Sequence, residues 1–186
     1  RQTVNVSTAT ALLVASCGVA VAKHGNRSVS SRSGSADVLE AAGVRIDLTA
    51  EQMGHCLDEV GFAFLFAPAL HPAMRHAAGP SREMRLRTMF NLLGPLTNPA
   101  GAEHQLLGVY AASAAGLVAG ALRLLGTRRA WVVHGLDGLD ELSLEAESLA
   151  FVVENGRMEE RRIRPEDAGL SRPAQGVPSG GDPEEN

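Results

Sequence analysis

The chain has 186 residues, 45% of them hydrophobic and 20% charged, with a formal net charge of −4 and a pI near 5.9. Such a composition suits one globular domain with a sizeable core and excludes a low-complexity or disordered chain. A basic nucleic-acid surface is argued against by the charge, and base-stacking platforms by aromatics at only 4%, although a local basic pocket for a small phosphate remains compatible.

In chain order, Ala9 to Ala22 is apolar and superficially like a secretion signal, but Thr10, Ser16, Cys17 and Gly18 interrupt it and no basic segment precedes it. It is also shorter than the ~20 residues a membrane span needs. A helix over Ala9–Ser16, N-capped by Ser7 and Thr8 and stopped by Gly18, followed by a buried strand Val19–Ala22, explains it better. Cys17 and Cys56 lack a CxxC partner and read as reduced core cysteines, so a cytoplasmic location is the default.

Ser33-Gly34-Ser35 opens a helix over Ala36–Ala42, and Thr49-x-x-Gln52 is a capping box that starts a helix running to Val60. Phe62–Phe66 reads as a buried strand ended by Pro68. Helical stretches are predicted from Pro72 through His76 and over Arg82–Leu93, with a loop at Gly94–Pro99. Leu106–Tyr110 is a strand, Ser113–Leu125 a helix closed by Gly126, and Ala130–Val133 a strand. Ser148–Val153 and Met158–Ile163, joined around Asn155-Gly156, read as a hairpin, and the chain is Pro-, Gly- and acid-rich from Ser171. Alternation of strands and helices predicts an α/β fold with a largely parallel sheet flanked by helices.

Two polar loops leave strand ends, where open α/β sheets bind ligands. Lys23-His24-Gly25-Asn26-Arg27-Ser28-Val29-Ser30-Ser31 offers cations, an imidazole, an amide and hydroxyls, a set suited to wrapping an anion. His134-Gly135-Leu136-Asp137-Gly138-Leu139-Asp140-Glu141 carries an acidic pair. In one parallel sheet both would emerge at the same edge, a cationic loop for phosphate and Asp140-Glu141 for Mg²⁺; the simpler reading of the acidic pair is a solvated turn. Asn5-Val6-Ser7-Thr8 precedes a helix, so its hydroxyls and the helix N–H groups suit an anion, or simple capping.

With these segments in view, the chain resembles the anthranilate phosphoribosyltransferases. Asn5-Val6-Ser7-Thr8 is similar to their Asn-Ile-Ser-Thr segment, and Lys23–Ser31 with Ser33-Gly34-Ser35-Ala36-Asp37 to their signature. Phe64–Pro68 with His71-Pro72-Ala73-Met74, Arg87–Pro99, Gly108-Val109-Tyr110, and Val133-His134-Gly135 with Asp137–Glu141 follow in order. The resemblance implies transfer of phosphoribose from 5-phosphoribosyl 1-diphosphate (PRPP) to the amine of anthranilate, with release of pyrophosphate, in tryptophan biosynthesis. It implies that Thr3, Asn5, Val6, Ser7, Thr8, Lys23, His24, Gly25, Asn26, Arg27, Ser28, Val29, Ser30, Ser31 and Ser35 hold PRPP. Ser7, Asp140 and Glu141 fall at Mg²⁺ positions and Asn26 where anthranilate is contacted, with no single catalytic acid or base implied. The family fold pairs a phosphoribosyl/nucleoside phosphorylase-type α/β domain with a small helical domain, usually dimerised through the latter.

Under that resemblance residues 1–170 are expected to be a partial α/β phosphoribosyltransferase domain without the helical domain, and 171–186 a C-terminal segment cut before a final helix. The family's Gly-Thr-Gly-Gly-Asp pyrophosphate loop does not occur in the 186 residues, so the chain alone is expected to have little or no transferase activity. An arginine that binds anthranilate in the family aligns with Ser81, beside Arg82, and Arg85 stands where glycine is usual. Alternative readings are a pyrimidine nucleoside phosphorylase and a non-catalytic nucleic-acid-binding relative of the same fold.

Overall fold

The computed structural model describes residues 4–28, 33–71, 93–94, 96–173 and 180–185. They form two compact units, one built from residues up to Ala100 together with 180–185, the other from Gly101 onward to Pro173.

The first unit opens with α1 (Val6–Ser16). Its cap is Asn5, not Ser7 or Thr8 as expected: the Asn5 Oδ1 accepts from the Thr8 N–H at 3.0 Å, so the chain is helical from Val6 and Ser7 lies in the first turn. Only Thr8 of this apolar helix is buried, and Leu12 and Leu13 are exposed. Cys17, expected in the core, is exposed just past the helix end.

β1 (Val21–Gly25) pairs in parallel with β2 (Phe62–Phe66), Lys23 opposite Phe64 and Gly25 opposite Phe66. The strand expected to stop at Ala22 therefore takes in Lys23, His24 and Gly25: pairing with β2 decides their conformation despite their polarity. Gly25 is also required by contact, since a Cβ there would lie 2.7 Å from the Phe64 ring. α2 (Ser35–Ala41) and α3 (Ala50–Val60) cover opposite faces of this pair. Ala36, Leu39, Ile46 and Phe64 form one apolar cluster; Met53, Ala63 and Leu65 form another, as the alternating side chains of a strand dictate. The capping box at α3 forms as predicted, Thr49 Oγ1 accepting from Gln52 N–H at 3.2 Å and Gln52 Oε1 from Thr49 N–H at 2.9 Å. A short α4 (Ala67–Leu70) follows the strand directly, with Pro68 in its first turn. The helices predicted at 72–76 and over most of 82–93 lie outside the described residues; Gly94 and Leu96, expected in a loop, are helical, as is Leu93. Asn98 Nδ2 donates to the Ala22 carbonyl at 3.2 Å, and a 3-10 turn at Pro183–Glu185 packs against α2.

The second unit is a four-stranded sheet ordered β3 (His104–Gly108), β4 (Arg129–Gly135), β5 (Ser148–Glu154), β6 (Arg157–Ile163). β3 and β4 are parallel and joined through α5 (Ala112–Leu124), whose Ala115, Val118, Ala119 and Leu122 are buried. β5 and β6 add antiparallel, their turn formed by Asn155 (φ 48°) and Gly156 (φ 77°), the positive-φ pair a two-residue hairpin favours. The expected α/β class, with parallel-paired strands flanked by helices, is what the chain adopts, but the two polar loops expected at one edge of a single parallel sheet leave strands of two different sheets, β1 and β4. Among the described residues its strands divide between a parallel pair and this mixed sheet. No helix among the described residues is long and apolar enough to cross a membrane.

Candidate phosphate and metal sites

In the first unit the anion-binding candidates gather where β1 meets the start of α1. Lys23, only 9% exposed, sends its Nζ to the Ser7 Oγ at 2.8 Å. Ser35 Oγ lies 3.5 Å from the same Asn5 Oδ1 that caps α1. Thr8 Oγ1 is buried without a hydrogen-bond partner among the described residues. A nearly buried ammonium, two serine hydroxyls and the N–H groups of the first turn of α1 are thus brought together, a set of donors that matches an oxyanion. Of the remaining PRPP candidates, Thr3 and Val29, Ser30 and Ser31 lie outside the described residues, as do Ser81, Arg82 and Arg85.

The loop after β1 folds back onto α2. Asp37 Oδ2 accepts from the Ser28 N–H at 3.0 Å and the Gly34 N–H at 2.8 Å, while Oδ1 accepts from Arg27 at 3.1 Å. Arg27 also binds the Glu40 carboxylate with both terminal nitrogens. Burial raises the Asp37 pKa, but the two N–H donors and the guanidinium outweigh it and hold the carboxyl below its usual range. Gly34 is needed by contact, since a Cβ there would lie 2.9 Å from the Asn26 carbonyl oxygen and closer still to Ser28 N. Asn26 itself is exposed; its Oδ1 accepts from Arg27 N–H at 2.7 Å and its carbonyl from Ala36 N–H at 3.3 Å. Arg27 was expected to meet phosphate; in the structure its guanidinium is engaged by Asp37 and Glu40 and shapes the loop. Asp37 was not singled out as a site residue, although an acid three residues after Gly34, at a helix start, is a recognisable signal.

His24 stacks edge-on against His71, ring centroids 5.1 Å apart, and the Nε2 atoms of both are buried without a hydrogen-bond partner among the described residues. Burial lowers the His24 pKa below 6.5, His71 and Lys23 lower it further, and a hydrogen bond with the Gly94 backbone acts the other way. These effects favour the neutral imidazole of His24.

In the second unit, Asp140 is exposed and Glu141 half-buried, on the loop that leaves β4. Asp137, the first acid of that loop, is used internally: its Oδ2 accepts from Ser143 Oγ at 2.8 Å and its Oδ1 from Leu139 N–H at 3.4 Å. Ser143 N–H donates to Ser148 Oγ at 2.8 Å, and Ser143 Oγ accepts from Glu145 and Ala146 N–H. His134 Nδ1 bonds the Val109 carbonyl at 2.8 Å, tying the ends of β3 and β4. Two adjacent, solvent-reachable carboxylates are hard oxygen donors of the kind Mg²⁺ takes, and no larger cluster of metal-binding side chains occurs among the described residues. The donor set thus fits an ion that keeps waters and substrate oxygens as its other ligands.

The model of the glycosyl transferase family, a/b domain, matches residues 1–186. The chain belongs to that family. Anthranilate phosphoribosyltransferase from Moorella thermoacetica is 58% identical over 172 residues, which cover 92% of this chain and 51% of the relative. That from Alkalilimnicola ehrlichii is 59% identical over 170 residues, 91% of this chain and 50% of the relative. Among solved structures, anthranilate phosphoribosyltransferase from Thermus thermophilus superposes with a TM-score of 0.91 at 49% identity, covering 100% of this chain and 54% of that one. The Saccharomyces cerevisiae enzyme in complex with PRPP and Mg aligns with a TM-score of 0.89 at 27% identity, covering 100% of this chain and 51% of that one. This glycosyl transferase family member therefore spans about half the length of the relatives it matches.

Proposed function

We propose that the chain is the α/β part of an anthranilate phosphoribosyltransferase, which transfers phosphoribose from PRPP to the amine of anthranilate and releases pyrophosphate. The observation that carries this reading is the Lys23–Ser7 contact, a nearly buried cation held at the N-terminal turn of α1 beside Asn5 and Ser35. Lys23, Ser7, Thr8 and Ser35 bind the phosphate-rich end of PRPP, beside Ser28 and Gly34, whose N–H groups Asp37 holds. Thr3, Val6, His24, Gly25, Arg27 and Ser28–Ser31 belong to the same PRPP surface, Arg27 by holding the loop's curve, and Asn26 meets anthranilate. Asp140, Glu141 and Ser7 are the residues for Mg²⁺, which when bound offsets the negative charge gathering on the pyrophosphate.

In the reaction the sugar C1–oxygen bond to pyrophosphate breaks and a bond from the anthranilate nitrogen to C1 forms. Positive charge grows on the sugar and negative charge on the leaving group, and Lys23 stabilises the latter by its position. The aniline nitrogen is already unprotonated at pH 7, so orientation carries the step and no strong base is needed. The neutral His24 fits a positioning role. The full protein is read as a cytoplasmic homodimer with no membrane or nucleic-acid partner. Because the 186 residues contain no Gly-Thr-Gly-Gly-Asp segment, this polypeptide alone holds only part of the diphosphate and turns over little.

Equilibrium dialysis with Mg²⁺ tests the reading by comparing PRPP with inorganic phosphate plus a pyrimidine nucleoside. Saturable retention of PRPP alone is expected. Preferential retention of phosphate and nucleoside would favour a phosphorylase and contradict it.

A further inference from the structure

The loop that carries Asp140 and Glu141 is set by its neighbours, and Gly108 stands out among them. Gly108 ends β3, pairs with Val133 of β4, and has the Asp140 main chain lying directly against it: a Cβ on Gly108 would overlap the Asp140 carbonyl oxygen. A second glycine does the same from β4. A Cβ on Gly135 would lie 2.6 Å from Asp137 Oδ1 and 3.2 Å from the Glu141 carbonyl oxygen. The acidic pair is thus laid across the ends of two adjacent strands, with room for only a hydrogen beneath its backbone at Gly108 and a tight approach at Gly135. The strand ends are themselves locked, Val109 N–H to the Val133 carbonyl at 3.0 Å and His134 Nδ1 to the Val109 carbonyl at 2.8 Å. From the far side, Asp137 and Ser143 fasten the loop to itself, with Gly135 N–H donating to the Leu139 carbonyl at 2.8 Å.

We propose that Gly108 is a positioning residue for the divalent cation, holding the Asp140-Glu141 main chain at the ends of β3 and β4, with Asp137 and Ser143 closing the loop from the other side. Two adjacent carboxylates meet a shared cation at less ordering cost when the main chain between them is already placed, and the close approach at Gly108 places it. The inference rests on the assignment of Asp140 and Glu141 to the metal.

The test uses Mn²⁺ as an electron paramagnetic resonance probe, titrated into the 186-residue chain in the presence of PRPP. Four proteins are compared: the natural sequence, Gly108→Ala, Ser143→Ala and Glu141→Gln. Gly108→Ala is expected to weaken Mn²⁺ binding about tenfold, the range seen when outer groups that orient metal ligands are changed, with an altered spectrum of the bound ion. The thermal melt stays cooperative. If Gly108→Ala does not fold, Ser143→Ala carries the same comparison, with an expected loss in the same direction. Natural affinity and spectrum in the folded glycine variant, with Glu141→Gln impaired, would overturn the positioning role and leave the metal assignment standing. Natural affinity in Glu141→Gln, or no Mn²⁺ binding by the natural chain, would overturn the assignment and the positioning role together.

Discussion

The Lys23 ammonium donates to the Ser7 hydroxyl across 2.8 Å, joining β1 to the first turn of α1. Lys23 is 9% exposed, so this cation is held in place by the fold instead of sampling solvent. A placed, partly desolvated charge binds an oxyanion more strongly than a surface lysine does, because less ordering remains to be done and less water screens it. Lys23→Met keeps the stem and removes the charge. A hydrogen bond to a charged group contributes about 1.5–3 kcal/mol, so PRPP affinity by calorimetry should fall about ten- to a hundredfold. An unchanged affinity would place the phosphate elsewhere.

Asp37 should behave as the clamp of the phosphate loop. Asp37→Asn removes the negative charge that faces Arg27 and weakens acceptance from the Ser28 and Gly34 N–H groups. A loss of about 1 kcal/mol in denaturant unfolding is expected. The sign with pH follows from the lowered pKa. The folded carboxyl stays ionised where the unfolded one, near 3.8, takes a proton. Its stabilisation is thus present above that value and is lost as pH falls through the lower folded one. A stability curve for Asp37→Asn parallel to the natural one through the acid limb would contradict the clamp.

Gly34→Ala tests the same loop by shape. The added methyl meets the backbone of Asn26, Arg27 and Ser28, which cannot yield as a flexible side chain would. PRPP binding should be lost while the circular dichroism of strands and helices is kept. Full binding by this variant would show that the loop need not close on α2.

His24 should titrate below 6.5 by NMR. Burial is the larger cause and His71 the next, so His71→Gln should raise the His24 pKa part of the way back. Between the lowered folded value and 6.5 the unfolded chain binds more protons. Stability therefore rises with pH across that window, and the slope should be smaller in His71→Gln. An ordinary His24 pKa in the natural chain would contradict the buried pair.

How much of this was legible in the chain depends on the range of the interaction. Phe62–Phe66 was readable because an apolar run lies between Gly61 and Pro68, and the α3 start because Thr49 and Gln52 satisfy each other within one turn. The Asn155-Gly156 turn is equally local. The extension of β1 over Lys23–Gly25 was not legible, since it is imposed by Phe64, Leu65 and Phe66, far along the chain. Asn5, Ser7 and Thr8 are all good caps, and only the backbone geometry chooses Asn5. The candidate phosphate residues stood out by their polarity after a strand. The roles of Asp37 and Gly108 did not, because they are set largely by contacts with backbone N–H and C=O groups, which almost every residue carries.

The central claim is that this chain holds a PRPP site built on Lys23 and Ser7. Calorimetric titration of PRPP into the natural chain and into Lys23→Met, with Mg²⁺ present, tests it most directly. The account predicts saturable one-site binding by the natural chain and loss of most of that affinity in the variant. Absence of PRPP binding by the folded natural chain, or equal binding by both proteins, would contradict it.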